Sequence, residues 1–410
     1  MNVSRKSVPH LGSTRAPVTS QMDLAPVAAR GRSLSLADGA LGEVLLNVER
    51  ALTYVGSWDE VTKVYDTDTV ETGALRGDGM MPEGLFYGSP AAVFVMDGAG
   101  ADGVDRYGRV LKELDVVVEA LTRERLTAAR HRSAAGVAAT ADELNLFTGL
   151  IGLATLLLRR APRSQILGGV VEHAVDLTKD RLLDRVSVPG WWTSPGQFAP
   201  ERGHAELGMV QGAAGLLAFL AIAVRAGRGR DVPRDAFERL VGWLGDWRQE
   251  DEHGWWWPHR LTLDELRTGR ATQPERSAPT WAGTVGIARA LQMAAIVTGR
   301  NDWRATAESA MTSALSPHLL DQLTEPDLVT GTAGAYQTAF RAAQDAASPL
   351  LRQRLATAAD ALVRTGQGWP ENTAFLTGRA GTQLADQTRL RRYEPVSGWD
   401  RCLLIAWAHS

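Results

Sequence analysis

Cysteine is nearly absent from this 410-residue chain: Cys402 stands alone. A single thiol excludes an intrachain disulfide framework and any metal site built from several thiolates of this chain. A reducing, cytoplasmic setting follows as the expectation. Charge of one sign is also lacking, since 44 Lys and Arg against 47 Asp and Glu leave a formal net charge of -3. That speaks against a dedicated nucleic-acid binder, which would show a basic face. Long apolar runs are missing too. The longest stretch, 207–224, is interrupted by Gln211 and holds Gly208, Gly212 and Gly215, so it reads as a buried helix and not a membrane span. Residues 1–30 carry Arg5, Lys6, Arg15 and Arg30 against Asp23 alone, with no apolar block of signal-peptide length. They read as a disordered basic tail ahead of one domain over 31–410. Strand-like alternation is scarce throughout.

Glycine, by contrast, is abundant at 41 residues and ordered in its placement. Six G-x-x-G pairs each precede a small-residue, apolar helix pattern: Gly39 and Gly42, Gly149 and Gly152, Gly212 and Gly215, Gly283 and Gly286, Gly331 and Gly334, Gly378 and Gly381. A seventh copy has Gly88 with Ala91 in the second place, whereas Gly100 and Gly103 lie in a polar loop and read as a chance match. Successive first glycines stand 49, 61, 63, 71, 48 and 47 residues apart, enough for two helices and a variable loop per unit. Such a period marks an α-helical repeat array. Between the turns, 235–247 and 351–364 read as amphipathic helices. The first glycine of each pair is expected to permit a left-handed or strained turn, and the second a close backbone approach where the helix begins. No G-K-[ST] follows any copy, which argues against a phosphate loop, and a nucleic-acid clamp would not be repeated seven times in an acidic chain. Seven such units can close into an all-α, double-layered α/α toroid, an inner ring of apolar helices inside an outer ring of amphipathic ones. Helix N-termini gathered at one end of the cavity would offer N–H donors and positive dipole ends, and a ligand site is expected at that mouth.

The ordered set of glycine turns, with the terminal Gly398-Trp-Asp-Arg401, resembles the lanthionine synthetase C-like family over roughly residues 33–408. The resemblance implies a toroid that closes thioether rings by adding a peptide cysteine to a dehydrated serine or threonine. It also implies a zinc ion held by two cysteines and a histidine at the fifth and sixth turns, a histidine at the fourth and an aspartate before the third. Zinc suits that chemistry because a free thiol of pKa about 8.5 is only a few per cent ionised at neutral pH. This sequence departs at each of those places. Ala282 stands for the first thiolate, Val329 and Thr330 for the second thiolate and the imidazole, Gln211 for the fourth-turn histidine and Asn145 for the aspartate. No metal or other cofactor is therefore expected.

Two functions remain in contention. A zinc-independent cyclase would use Thr330, Gln211, Asn145 and Arg276 as hydrogen-bond donors toward the developing enolate oxygen, and His204 or His259 as proton carrier. A non-catalytic pseudo-cyclase would bind the precursor peptide or scaffold a kinase-like or lyase-like dehydratase. His204, His253 and His259 lack the H-x-x-x-H spacing of a helical metal site, and Cys402 reads as a core residue. Trp191, Trp192, Trp255, Trp256, Trp257 and Trp281 fall on loops or turns near the expected mouth. They either line a groove for an extended peptide or plug the toroid. A carbohydrate-active toroid is disfavoured, because the nearest carboxylates, Glu206 and Asp142, suit a solvated face better than a catalytic pair.

Overall fold

The computed structural model describes residues 34–61, 81–193, 202–228, 232–366 and 371–408; the basic stretch 1–30 and the side chain of Asp142 lie outside them. The described chain begins with α1 (Ala40–Leu52), α2 (Gly88–Gly98), α3 (Gly108–Ala134), the short α4 (Ala141–Leu144), α5 (Leu150–Arg160) and α6 (Gln165–Leu177). Strands β1 (Arg181–Leu183), β2 (Val186–Val188) and β3 (His204–Glu206) lead to α7 (Ala213–Arg225) and α8 (Arg234–Asp246). Then come β4 (Gln249–Asp251), β5 (Gly254–Trp256), β6 (Arg260–Thr262), α9 (Leu263–Thr268), α10 (Thr284–Thr298) and α11 (Asn301–Ala314). The chain ends with α12 (Pro317–Leu320), α13 (Thr332–Asp345), α14 (Pro349–Thr365), α15 (Arg379–Arg391) and a 3-10 helix at Trp399–Leu403.

Helices α1, α2, α5, α7, α10, α13 and α15 start at the seven glycine turns. Each packs on the next, and α15 returns to α1, which closes an inner ring. Composition explains why α7 lies inside: it is apolar on all sides and is buried at every residue from Ala213 to Ala223, as such a helix must be. The outer layer is one-sided. On α3 the buried residues Leu111, Leu114, Val118, Thr122, Leu126 and Ala129 recur every three or four positions, one stripe of a helix with its other face in solvent. The amphipathic segments expected at 235–247 and 351–364 are α8 and α14, within two residues at each end. The fold is the double-layered α/α toroid that the repeat implies.

Backbone hydrogen bonds stitch the turns to one another. Leu36 N–H donates to Phe86 O, Phe86 N–H to Phe147 O, Leu146 N–H to Val210 O, Leu328 N–H to Leu376 O, and Leu376 N–H to Ala37 O, all between 2.7 and 3.1 Å. Around the fifth turn, side chains take over: Met209 lies against Gly286, and the Trp281 Cβ lies against Gly334. The first glycines differ from expectation. Six of them cap their helices with φ between -96 and -126°, all but Gly283 in extended backbone open to any residue, and only Gly88 has a positive φ, +69°. Close packing is the reason for glycine here: a Cβ at Gly331 would strike Glu325 O and Asp327 N of its own turn, and one at Gly334 would strike Leu328 O.

Aromatic side chains from those turns fill the middle of the ring. Phe86 meets Phe147 edge-on at 4.6 Å, Phe147 reaches Trp281 at 6.5 Å, and Phe375 meets Trp399 edge-on at 5.8 Å. The C-terminal segment is part of this plug. The Trp281 indole donates to Leu403 O at 2.9 Å and Arg289 to Ile405 O at 2.9 Å, while buried Asp400 accepts from Gln337 and, through both carboxylate oxygens, from Arg341.

Candidate functional site

Two three-residue strands separated by more than fifty positions build the site. β3 pairs antiparallel with β6, placing Glu206 opposite Arg260 and His204 opposite Thr262, and Leu207 N–H donates to His259 O just beyond the pair. A reciprocal cap anchors β6 to α9, with the Thr262 hydroxyl accepting from Glu265 N–H and Glu265 accepting from Thr262 N–H at 2.7 Å. The other oxygen of Glu265 accepts from Thr272 N–H at 2.6 Å, and Gln273 accepts from His259 N–H at 3.0 Å. The loop carrying His259 is thereby fixed from both sides.

On this support a polar chain runs from the third turn to the fourth. Asn145 Oδ1 accepts from Phe147 N–H at 2.7 Å, closing its own turn, and its Nδ2 donates to Gln211 Oε1 at 3.3 Å. Gln211 Nε2 donates to Glu206 Oε1 at 2.8 Å, and His204 Nε2 lies 3.3 Å from that oxygen. His204 is buried, and its Nδ1 has no partner among the described residues. It therefore backs Glu206 and does not face solvent as a proton carrier would. His259 keeps an open face at the rim. Crowding by its neighbours lowers its pKa, the charge of Glu206 opposes this, and Arg260 reinforces it. Glu206, half-buried and held by two side chains, is not the solvated-face carboxylate expected from sequence. Its signal was the Gly203-His-Ala-Glu206 stretch just before the fourth turn.

The remaining candidates lie elsewhere or are already engaged. The Thr330 hydroxyl donates to Asp327 Oδ2 at 3.0 Å, while Asp327 Oδ1 accepts from Val329 and Thr330 N–H at 2.8 and 2.7 Å. Thr330 is thus part of a turn cap and not a free donor. Arg276 is spent on the β4–β5 hairpin: it donates to both carboxylate oxygens of Asp251 and to the carbonyls of Gly254 and Trp255. The N–H groups expected to be exposed at the helix starts are largely taken as well. Thr332 N–H, for example, donates to Glu325 O, and Gly286 N–H to Thr280 O.

Burial corrects the tryptophan groove. Trp191, Trp192, Trp257 and Trp281 are at most 2% exposed and Trp256 is 7% exposed, so five of the six have no open face for a peptide. Trp191 packs edge-on against Trp243 at 4.9 Å, and the Trp257 indole donates to Leu244 O. Only Trp255 is partly open, with the Arg248 guanidinium 3.8 Å above its ring. Most of the cluster is filler, as the alternative reading had it.

A closed ring of seven turn-started helices inside an amphipathic outer layer, with a polar cluster at its third and fourth turns, defines the α/α-toroid class. The sequence profile of the lanthionine synthetase C-like proteins matches residues 32–385, and the chain belongs to that family. Among solved structures it is similar to one described as nisin cyclase, with a TM-score of 0.74 and 16% identity, over 92% of this chain and 93% of that one. A likeness at that identity shows the fold. No curated protein matches the sequence.

The residues at the positions where the resemblance implies zinc ligands do not fit that ion. Ala282 offers a methyl group, Val329 an isopropyl group, and Thr330 a hydroxyl committed to Asp327. Cys402 is fully buried in the 3-10 helix with its Sγ on Trp399 O, and burial pushes its thiol pKa well up. Among the described residues, no three His, Cys, Asp or Glu side chains are grouped to hold a metal ion, and no helix is long and apolar enough to cross a membrane.

Proposed function

We propose that this protein acts on a dehydrated ribosomal precursor peptide as a zinc-independent, lanthionine-forming cyclase, with Glu206 as the base. The supporting observation is the half-buried Glu206 carboxylate, oriented by Gln211 and His204, in a toroid of this family; Ala282 and Val329 stand where the resemblance implies thiolates. In this reading Glu206 takes the proton of a substrate cysteine, and the sulfur adds to the β-carbon of the dehydroamino acid. The π electrons move toward the neighbouring carbonyl oxygen, and the α-carbon then recovers a proton from Glu206 or from protonated His259. One C–S and one C–H bond form as the S–H and C=C π bonds are lost. Holding the two reacting ends in place supplies the larger share, because oriented intramolecular reactions reach effective molarities on the order of 10⁵ M or more. Gln211 and Asn145 orient the base and do not contact the enolate. A kinase-like or lyase-like dehydratase would supply the substrate, and a cytoplasmic setting agrees with this chemistry.

The internal commitments of Thr330 and Arg276 favour a second reading, a pseudo-cyclase that binds the peptide or scaffolds the dehydratase. Free-thiol loss from a dehydrated, cysteine-containing peptide separates the two. The cyclase predicts protein-dependent loss that persists in chelator and falls about 10²- to 10⁴-fold in Glu206→Gln, the range of a missing general base. Binding without thiol loss establishes the scaffold, and stoichiometric zinc in the purified protein would overturn the reading of positions 282, 329 and 330.

A further inference from the structure

Where α1 and α15 close the ring, a cavity of about 150 Å³ is lined by Glu43, Asn47, Arg50, Thr373, Arg379 and Gln383, among others. It belongs to the first and seventh turns. In the order of the ring these stand across from the third and fourth, so the cavity is separate from the cluster around Glu206. Its lining starts at the turns, with Glu43 in the first turn of α1 and Arg379 immediately after Gly378, and runs along both helices to Arg50 in the last turn of α1 and to Gln383.

The lining is incompletely satisfied. Arg50 Nη2 donates to Gln383 Oε1 at 3.1 Å, which ties the two helices together and spends one of its five donors. Among the described residues neither the Arg379 guanidinium nor the Asn47 carboxamide has a hydrogen-bond or ion-pair partner, although Asn47 is only 8% exposed. Among the described lining residues, two guanidinium groups, Arg50 and Arg379, stand against one carboxylate, Glu43. Planar guanidinium forks match a carboxylate, and the amide of Asn47 and hydroxyl of Thr373 can add donors. The volume is too small for a drug-sized ligand, which occupies roughly 300 Å³ or more, but it suffices for a carboxylate head group and a few waters at about 30 Å³ each.

We infer that this cavity takes the carboxylate of a glutamate or aspartate side chain of the precursor peptide, anchoring the peptide across the ring from Glu206. The identity of the ligand as a peptide rests on the function proposed above; the carboxylate does not. An extended peptide advances about 3.3 Å per residue, so about ten residues span roughly 33 Å. One anchored side chain would keep the reactive segment near Glu206 at an effective concentration on the order of millimolar.

The test is a ligand-observed magnetic-resonance titration of the full chain with two terminally blocked decapeptides of glycine and serine, one with a central glutamate and one with glutamine. Inorganic phosphate and free glutamate serve as competitors. The glutamate peptide should bind saturably, the glutamine peptide at least tenfold more weakly, and Arg379→Ala should weaken the glutamate peptide at least fivefold with Arg379→Lys recovering part of the loss. Asn47→Ala should weaken it as well while leaving the circular dichroism spectrum intact. Equal binding of the two peptides, an unchanged Arg379→Ala, or phosphate or free glutamate displacing the peptide at equal or lower concentration would overturn the inference. These peptides carry neither cysteine nor a dehydroamino acid, so failure here leaves thiol addition standing, and failure of thiol addition leaves this binding standing.

Discussion

At Asp327 a buried carboxylate accepts three hydrogen bonds from the turn it precedes, yet its pKa lies above the ordinary carboxylate value. Desolvation outweighs the bonds from Val329 and Thr330. A raised folded-state pKa means that protonation favours the folded chain. The associated stability is present at low pH and is lost as pH rises through the folded value. Asparagine performs the same capping task at the third turn, where Asn145 accepts from Phe147 N–H, and at the seventh, where Asn372 accepts from Ala374 N–H. Asp327→Asn should therefore raise the melting temperature at pH 7, because it keeps the acceptor and removes the buried charge. The gain should shrink on acidification as the wild-type carboxylate takes its proton, and thermal melts across pH 3 to 8 would show this. The sequence carried a sign of these caps, an Asx residue four to six positions before the first glycine of the third, sixth and seventh turns. What it did not carry was the link from Asn145 through Gln211 to Glu206, whose members are 66 and 5 residues apart in sequence.

Among the helices, glycines of identical composition have opposite roles. A Cβ at Gly286 would meet Trp281 O and Met209 Cγ, whereas one at Gly242, on the exposed face of α8, would meet nothing within 4 Å. Gly286→Ala should destabilise by about 1–3 kcal/mol or more through overpacking against rigid backbone. Gly242→Ala should stabilise by about 0.5–1 kcal/mol, since a helix-interior glycine carries an entropic cost that alanine removes. Denaturant melts of the two variants check both signs. The inner helix α7, apolar all round, and the outer helix α3, with its single stripe, were legible from pattern, whereas α15, rich in Arg, Gln and Thr, was legible only through its glycine turn. The paired strands β1 with β2, β3 with β6 and β4 with β5 were not, because three residues give no periodicity to read. Their pairing comes from contacts between loops, and it is the β3–β6 pair that presents Glu206.

Across the whole molecule, the C-terminal segment locks the ring. Asp400 is fully buried, and its contact with Arg341, itself 3% exposed, ties the 3-10 helix to α13. Burial pulls the Arg341 pKa down, but Asp400 and Glu394 more than reverse this and hold it above the ordinary guanidinium value. Breaking one side of a buried pair costs more than the pair contributes, because the partner charge is left unpaired. Asp400→Ala should thus destabilise by about 3–5 kcal/mol, measured by chemical denaturation. Asp302→Ala, at an exposed pair with Arg300, should change stability by less than about 1 kcal/mol.

The sequence by itself determined the toroid. Seven glycine turns at helix starts, most of them followed by small and apolar residues, leave few other ways to bury that much surface, and the same turns carry Ala282, Val329 and Thr330 where the resemblance implies zinc ligands. Tertiary structure alone decided which polar groups are available. It spent Thr330 and Arg276 on local caps, sealed five of six tryptophans in the packing, and brought Glu206 beside Gln211 and His204. Those outcomes depend on which carbonyl, carboxylate or ring lies within about 3 Å of a side chain once the ring has closed, and no local pattern in the chain encodes that distance.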